Sequence, residues 1–486
     1  MKSLTKRALC LCLSLILVFG LAACSAAGSK KAERLSLDAR PDAPSEIPEG
    51  LDIDWNARYT FAELEAQLSR MAEQYPDITA LYSIGTTWQE RDLWCLEITN
   101  KAIPAEEKTG IGVFANIHGG ERESASSAMY TAWWLTLCSD DAYVKGLLDA
   151  YTIYVIPVIN PDGYEQSFVV NTRPNLRPQD ANGNNIPFSD PYTDIDGDGF
   201  IATLYRGKAD DTPSRDLPVF GMESPDWDEN GVLGDDPRTS GIDMNRTFDY
   251  QWNRYDIETK DGQQVGNVNW TTAGTAPATE PEIQALQRFL YTHDIDALVS
   301  LHTGIQSVLY PWCYRAYDAE NPDDTEIPFM KQTAAQMAQA FQDYTGRGFY
   351  SMSSNEDYPA ELIDYAYGRY NIHAYTIEVY SPGKSENGDI SSCKWENTMP
   401  EAKWVFYSRD EIRDTLGLDP DAITDKDGVG LAADEGLWFY TSPANQMVSR
   451  APEEQDVMVR GCRDAILTML ESEPSGAGYQ NPGFYK

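Results

Sequence analysis

The sequence predicts an α/β fold with a largely parallel central β-sheet. Three observations predict it. Continuous apolar runs recur along the chain, as buried parallel strands require. Helical patterns separate those runs. Two of the runs end directly at a histidine, and open α/β sheets carry ligands at the carboxyl ends of strands.

The elements follow in order. Residues 61–74 read as a helix, ended by Tyr75-Pro76. Ile111–Ile117 is a buried strand, Ser124–Leu137 a helix and Tyr151–Ile159 a second strand. Asn160-Pro161-Asp162-Gly163 stops that strand as a turn. Residues 165–240 lose the pattern and are dense in Asp, Asn, Gly and Pro, which marks a long insertion. Glu280–Thr292 is a helix with Pro281 in its first turn. Ala297–Leu301 is a strand, Phe329–Tyr344 an amphipathic helix and Ala374–Val379 a strand. Residues 381–440 read as loop, and a last helix runs over 454–471. The size of the chain allows two to four domains, or one large α/β domain with insertions.

Acidic residues outnumber basic ones 76 to 38, for a net charge of −38. Nucleic-acid binding needs a basic face, so it is excluded as a partner class. Lys2, Lys6 and Arg7 precede an apolar run over 8–21, the pattern of a signal peptide spanning residues 1–23. That run is too short to be a good spanning helix. It ends in Leu21-Ala22-Ala23-Cys24, which resembles the lipobox of bacterial lipoproteins. The resemblance implies a lipid on Cys24, a membrane partner through that anchor, and export to the outer face of the bacterial cell membrane or secretion. Residues 25–54 read as a linker, 55–415 as the main domain and 416–486 as a C-terminal extension packing on it. Five cysteines remain beyond Cys24, without a C-x-x-C pair, so at least one is unpaired.

There are four histidines. His118 follows one predicted strand and His302 another. Glu121 lies three residues after His118, in His-Gly-Gly-Glu, so one tight turn can aim both side chains at one point. The set His118, Glu121, His302 is a catalytic zinc arrangement: three protein ligands and an open position. Glu378 sits inside the apolar run Tyr375–Val379. A buried carboxylate needs a metal, a partner or a task, and here it is a candidate general base. Asn245-Arg246 can grip a carboxylate through the guanidinium fork. His293 and His373 read as structural.

Taken in order, these landmarks resemble the zinc carboxypeptidase family (M14, carboxypeptidase A/T type). They are His118-Gly-Gly-Glu121, Asn160-Pro-Asp-Gly163, Asp243-Met-Asn-Arg246, Ala278-Thr-Glu-Pro-Glu282, His302, and Asp364-Tyr-Ala-Tyr-Gly368 followed by Glu378. The resemblance runs from about Tyr59 to about Pro382. It implies a central mixed, largely parallel β-sheet flanked by helices, with long loop insertions. It implies one Zn2+ per chain on His118, Glu121 and His302, with Glu378 as general base. It implies that Asn245 and Arg246 bind the terminal carboxylate of a peptide substrate. Ile363 falls at the family's specificity position, which implies an apolar or aromatic terminal residue. The family's oxyanion arginine is matched by Arg173 or Arg177, and the spacing does not choose. The family's mobile tyrosine position is Glu356 here, with Tyr358 two residues away as the substitute.

Asp194-Ile-Asp196-Gly-Asp198-Gly199 resembles a calcium loop, with alternate carboxylates suited to Ca2+. Asp226-Trp-Asp228-Glu-Asn230-Gly231 is a weaker match. The expected state is a monomer. The competing readings are a cell-wall peptidase acting on peptidoglycan stem peptides and a non-catalytic binding protein of the same fold. A de-acylating amidase fits the Asn245-Arg246 clamp less well.

Overall fold

The computed structural model describes residues 39–170, 172–238, 241–252, 273–274, 276–353, 358–380, 403–441 and 452–474. Cys24 and the signal sequence lie outside the described residues, as do Glu356 and Cys393.

The main sheet has eight strands: β1 (Thr79–Thr86), β2 (Asp92–Ile98), β3 (Thr109–Ala115), β4 (Tyr151–Ile156), β7 (Ile295–His302), β8 (Ser307–Tyr310), β9 (Tyr350–Ser353) and β10 (His373–Glu378). Their spatial order is β1-β2-β4-β3-β7-β10-β8-β9. The central strands β4, β3, β7 and β10 are mutually parallel, while β1, β2 and β8 join antiparallel. The expected mixed, largely parallel sheet is what forms. The hairpin β1–β2 and the short β8 and β9 carried too little apolar periodicity to be read from sequence.

Both faces of the centre are covered, which is why its strands are apolar throughout. Side chains alternate between two cores. Ile111, Val113, Val299 and Ile377 face one core, while Phe114, Leu298 and Ala374 face the other. The first core is closed by α1 (Phe61–Gln74), α2 (Arg122–Leu137), α6 (Ile327–Thr345) and α9 (Pro452–Ser472). The second is closed by α5 (Pro281–Thr292) and α7 (Leu362–Tyr370). α1 begins where the sequence placed it because Thr60 and Glu63 form a capping box. Two shorter helices complete this body: α3 (Ala142–Ala150), which was not foreseen, and α4 (Pro161–Gln166). The Asn-Pro-Asp-Gly turn is the start of α4, with Asn160 as its cap and Pro161 in its first turn.

Four expectations are corrected. Residues 39–54 of the supposed linker are docked, not free: Leu51 is fully buried, and Arg40 bonds both carboxylate oxygens of Glu471 on α9. The apolar Leu51 and Ile53 in an otherwise polar stretch supply the anchor. The insertion 165–240 is not wholly irregular, because it holds β5 (Thr203–Gly207) and β6 (Val219–Met222). The stretch 381–440 is not all loop: its described part holds β11 (Lys403–Tyr407), α8 (Arg409–Asp414) and the start of β12 (Gly436–Thr441). These strands form a second sheet, ordered β11-β12-β5-β6, over a small core that includes Leu204, Phe220, Ile412 and Phe439. The boundary expected at 415/416 falls inside this sheet, because β11 pairs with β12. Its ladder joins segments more than two hundred residues apart, so no local pattern announced it.

Candidate active site

The site forms at the carboxyl ends of the central strands. His302 is the last residue of β7, and Glu378 is its register partner at the end of β10. His118 follows β3, and Glu121 is the cap residue of α2. Asn116 shapes the loop between them. Its backbone takes a left-handed φ of 55°, and its amide donates to the carbonyls of His118, Gly119 and Glu121. Gly119 is required because a Cβ there would sit 2.3 Å from the Gly163 carbonyl carbon. That close approach brings the His-Gly-Gly-Glu loop against the start of α4.

The three ligand candidates converge. His118 Nδ1 is 2.8 Å from Glu121 Oε1, and His302 Nδ1 is 3.1 Å from Glu121 Oε2. The two Nδ1 atoms are 3.2 Å apart. Two nitrogens bound tetrahedrally to one zinc at about 2.0–2.1 Å lie about 3.3 Å from each other, so the donor set fits the ion. Each imidazole is also held from behind. His118 Nε2 meets Asp243 Oδ1 at 3.1 Å, and His302 Nε2 meets Ser300 Oγ at 3.0 Å. Such outer contacts fix the ring and its tautomer. Burial opposes charge on His118, yet the carboxylates of Glu121 and Asp243 hold its pKa above the ordinary value. Burial likewise opposes charge on Glu121, and the two imidazoles overcome it, holding the carboxyl well below its usual range. The centre is therefore built to receive positive charge.

Glu378 keeps some exposure through the mouth of the site, but its Oε2 is buried and accepts no hydrogen bond from the described residues. Burial pushes its carboxyl up to about 7, with His302 pulling the other way. Gly304 lies close beside it: a Cβ there would stand 3.2 Å from Glu378 Oε2.

The structure separates the two candidate arginines. The backbone at 172–173 is stitched to the ligand loop, where Gly120 N–H donates to Thr172 O and Gly119 N–H to Arg173 O. Arg173 thereby enters the site, with Nε 2.8 Å from Asp243 Oδ2. Arg177 turns away to Glu280 at 3.1 Å and to the face of Trp88. Glu280, from the Ala-Thr-Glu-Pro-Glu motif, also accepts from Asn175 and Trp88.

A cavity of about 230 Å³ joins His118, His302, Arg173 and Glu378 to Asn245, Arg246 and Tyr358. Ile305, Leu309, Met352, Thr376 and Glu361 complete its lining. Asn245 Oδ1 accepts from Leu362 N–H at 3.0 Å, while the Arg246 guanidinium lies 4.7 Å from the Tyr358 ring centre. Ile363 is not among the lining residues. It is 1 % exposed and packs into the second core, because the helical turn of α7 points it at the sheet. Asp364 is buried beside it, accepting the Cys313 N–H, and burial pushes its carboxyl up to about 8.

Sequence reasoning missed the parts played by Asp243, Asn116 and Glu361. Asp243 had a signal, an acid two residues before Asn245. Glu361 had none. Of the other histidines, His293 stacks on Phe289 and His373 pairs with Glu473 at 2.7 Å, both away from the site. Asp194 and Asp196 cluster with Glu223 rather than with Asp198, whose carboxylate instead accepts Phe200 N–H. Cys95, Cys138, Cys313 and Cys462 are buried and form no disulfide among the described residues.

Comparison with known proteins agrees with this geometry. The zinc carboxypeptidase family profile (Peptidase_M14) matches residues 64–399. Zinc carboxypeptidase A 1 of Anopheles gambiae is 23 % identical over 343 residues, covering 70 % of this chain and 63 % of that protein. Human mast cell carboxypeptidase A is 22 % identical over 365 residues, covering 71 % of this chain and 70 % of that one. The alignment to the mosquito protein thus leaves over a third of that protein's length unmatched. Bovine thrombin-activatable fibrinolysis inhibitor, solved with tick carboxypeptidase inhibitor, shares the fold with a TM-score of 0.52 at 15 % identity, over 86 % of this chain and 97 % of that one. A profile match across most of the chain, over a sheet that delivers two histidines and a glutamate to one point, has one conclusion: the chain belongs to the zinc carboxypeptidase family.

Proposed function

We propose that this protein removes the C-terminal residue of peptides outside the cytoplasm. One observation carries the proposal. A single cavity unites His118 and His302, two of the three convergent donors, with the Glu378 carboxylate and the Asn245–Arg246 pair. Zinc held by those three donors would polarise the scissile carbonyl and make water more acidic. The chain's own residues supply the rest of the mechanism. Arg246 and Asn245 fix the terminal carboxylate in the cavity that the two histidines line, which directs cleavage to the last peptide bond. Glu378 takes a proton from the attacking water and hands it to the leaving nitrogen. Burial makes this carboxylate a stronger base than a solvated one, which suits it to both transfers. Arg173 steadies the negative charge that builds on the carbonyl oxygen. Asp243 holds both His118 and Arg173 in place. Tyr358 covers Arg246 from the solvent side.

Export and anchoring rest on the leader at 1–23 and on Cys24. A structural Ca2+ at Asp194 and Asp196 belongs to the same proposal, supported by the third carboxylate that Glu223 brings there.

The test is release of the C-terminal residue from peptides ending in Phe, Leu, Lys or Glu, beside an amidated peptide and a muropeptide. Chelator-sensitive release that disappears on amidation and in Glu378→Gln is the expected result. Cleavage of the muropeptide alone would move the substrate to the cell wall. Zinc binding without turnover of any of them would refute the exopeptidase reading.

A further inference from the structure

We propose that Glu361, not Ile363, sets the side-chain preference of this cavity, and that it selects a cationic C-terminal residue such as lysine or arginine. The inference rests on the carboxypeptidase reading above and names its substrate class.

Glu361 is the residue that starts α7, in extended backbone with φ −82° and ψ 157°, and its side chain makes no capping bond to the helix. The side chain turns into the cavity instead, where it is 8 % exposed in the residue as a whole. Its Oε1 accepts from Arg246 Nη1 at 2.7 Å, and its Oε2 lies 3.1 Å from the Cys313 thiol. The adjoining wall is formed by Ile305, Leu309 and Met352. An aliphatic stem can lie along that wall while its charged end reaches the carboxylate.

Charge decides the preference. When a substrate's terminal carboxylate docks on Arg246, one guanidinium faces two carboxylates, the substrate's and that of Glu361. A terminal residue with an apolar side chain would seal that excess negative charge in a site emptied of water, which is costly. A lysine or arginine side chain brings the missing cation. Oε2 is where it would bind, since a thiol is a weak donor and leaves that oxygen capacity to accept from a cation. Ile363 cannot exert the opposite preference, because its side chain lies in the core.

The experiment compares kcat/KM of the zinc-loaded enzyme on peptides identical except for a terminal Lys, norleucine or Phe. Norleucine keeps the lysine stem and lacks its charge, so the wild-type comparison alone reads the cation without any question of folding. We expect Lys to exceed norleucine by about 10–100-fold, the worth of a hydrogen bond to a charged group. Glu361→Gln, with its melting temperature as folding control, should abolish that ratio. A wild-type preference for norleucine or Phe overturns the proposal. So does an equal loss on all three peptides in Glu361→Gln, which would make Glu361 only a positioning group for Arg246. If no peptide is hydrolysed, the carboxypeptidase reading fails, and calorimetry then decides separately for the pocket. Tighter binding of the Lys peptide than of the norleucine peptide, lost in Glu361→Gln, sustains it, and equal or absent binding overturns it.

Discussion

Replacing Glu473 by Gln should destabilise the fold in a pH-dependent way. His373 opens β10 and Glu473 lies just past α9, and they are 4 % and 2 % exposed. His373 Nδ1 is 2.7 Å from Glu473 Oε2, and the Tyr375 hydroxyl donates to Oε1 at 3.2 Å. Glu326 faces the far side of the ring at 3.7 Å. Burial by itself would strip the charge from His373, but these carboxylates outweigh it and push its pKa up to about 10. In the unfolded chain the value is about 6.5. The folded state therefore holds the proton more tightly. The pair's contribution is complete below about pH 6.5 and is lost as pH rises towards 10. A gap of about 3.5 units at about 1.4 kcal/mol each sets a ceiling near 5 kcal/mol. Removing one partner of a buried pair typically costs about 3–5 kcal/mol, so the two routes agree. Urea unfolding followed by tryptophan fluorescence at pH 6, 8 and 10 provides the assay. The variant should be about 3–5 kcal/mol less stable than wild type at pH 6, with the gap closing by pH 10. A gap that stays constant with pH, or none at pH 6, would refute the reasoning.

Three further outcomes are expected. Arg173→Ala should lower kcat/KM by about 100–1,000-fold, while Arg177→Ala should leave it nearly unchanged, since only the former enters the cavity. Steady-state kinetics on one peptide settles this, and equal losses would contradict the assignment. Asp243→Asn should weaken zinc binding by about 10–100-fold, read by competition with a chromogenic chelator, because His118 loses its charged orienting partner. Unchanged affinity would mean that the 3.1 Å contact does not orient the ring. Finally, adding Ca2+ to EGTA-treated protein should raise its melting temperature, and Asp194→Asn should abolish the rise. A melting curve indifferent to Ca2+ would remove the ion from the account.

The central strands, the longer helices α1, α2, α5, α6 and α9 and the ligand triad were legible in the sequence because each is signalled locally, whereas α3 and α7 were not read from it. A strand buried on both faces must be apolar throughout, as at Ile111–Ile117, and α1 declares its start through Thr60 and Glu63. His118 and His302 stood out because each polar residue ended an apolar run. Three things were decided only by tertiary structure. The choice of Arg173 over Arg177 depends on backbone bonds from Gly119 and Gly120 to a segment some fifty residues away. The second sheet depends on pairing between β5 and β12, whose ladder no window of sequence contains. The lining of the cavity depends on which way side chains leave the first turn of α7. Ile363 and Glu361 are two residues apart, yet the helix sends one into the core and the turn before it sends the other to Arg246. Composition and spacing can say which residues a site could use. Long-range pairing and the direction of each Cβ say which of them it does use.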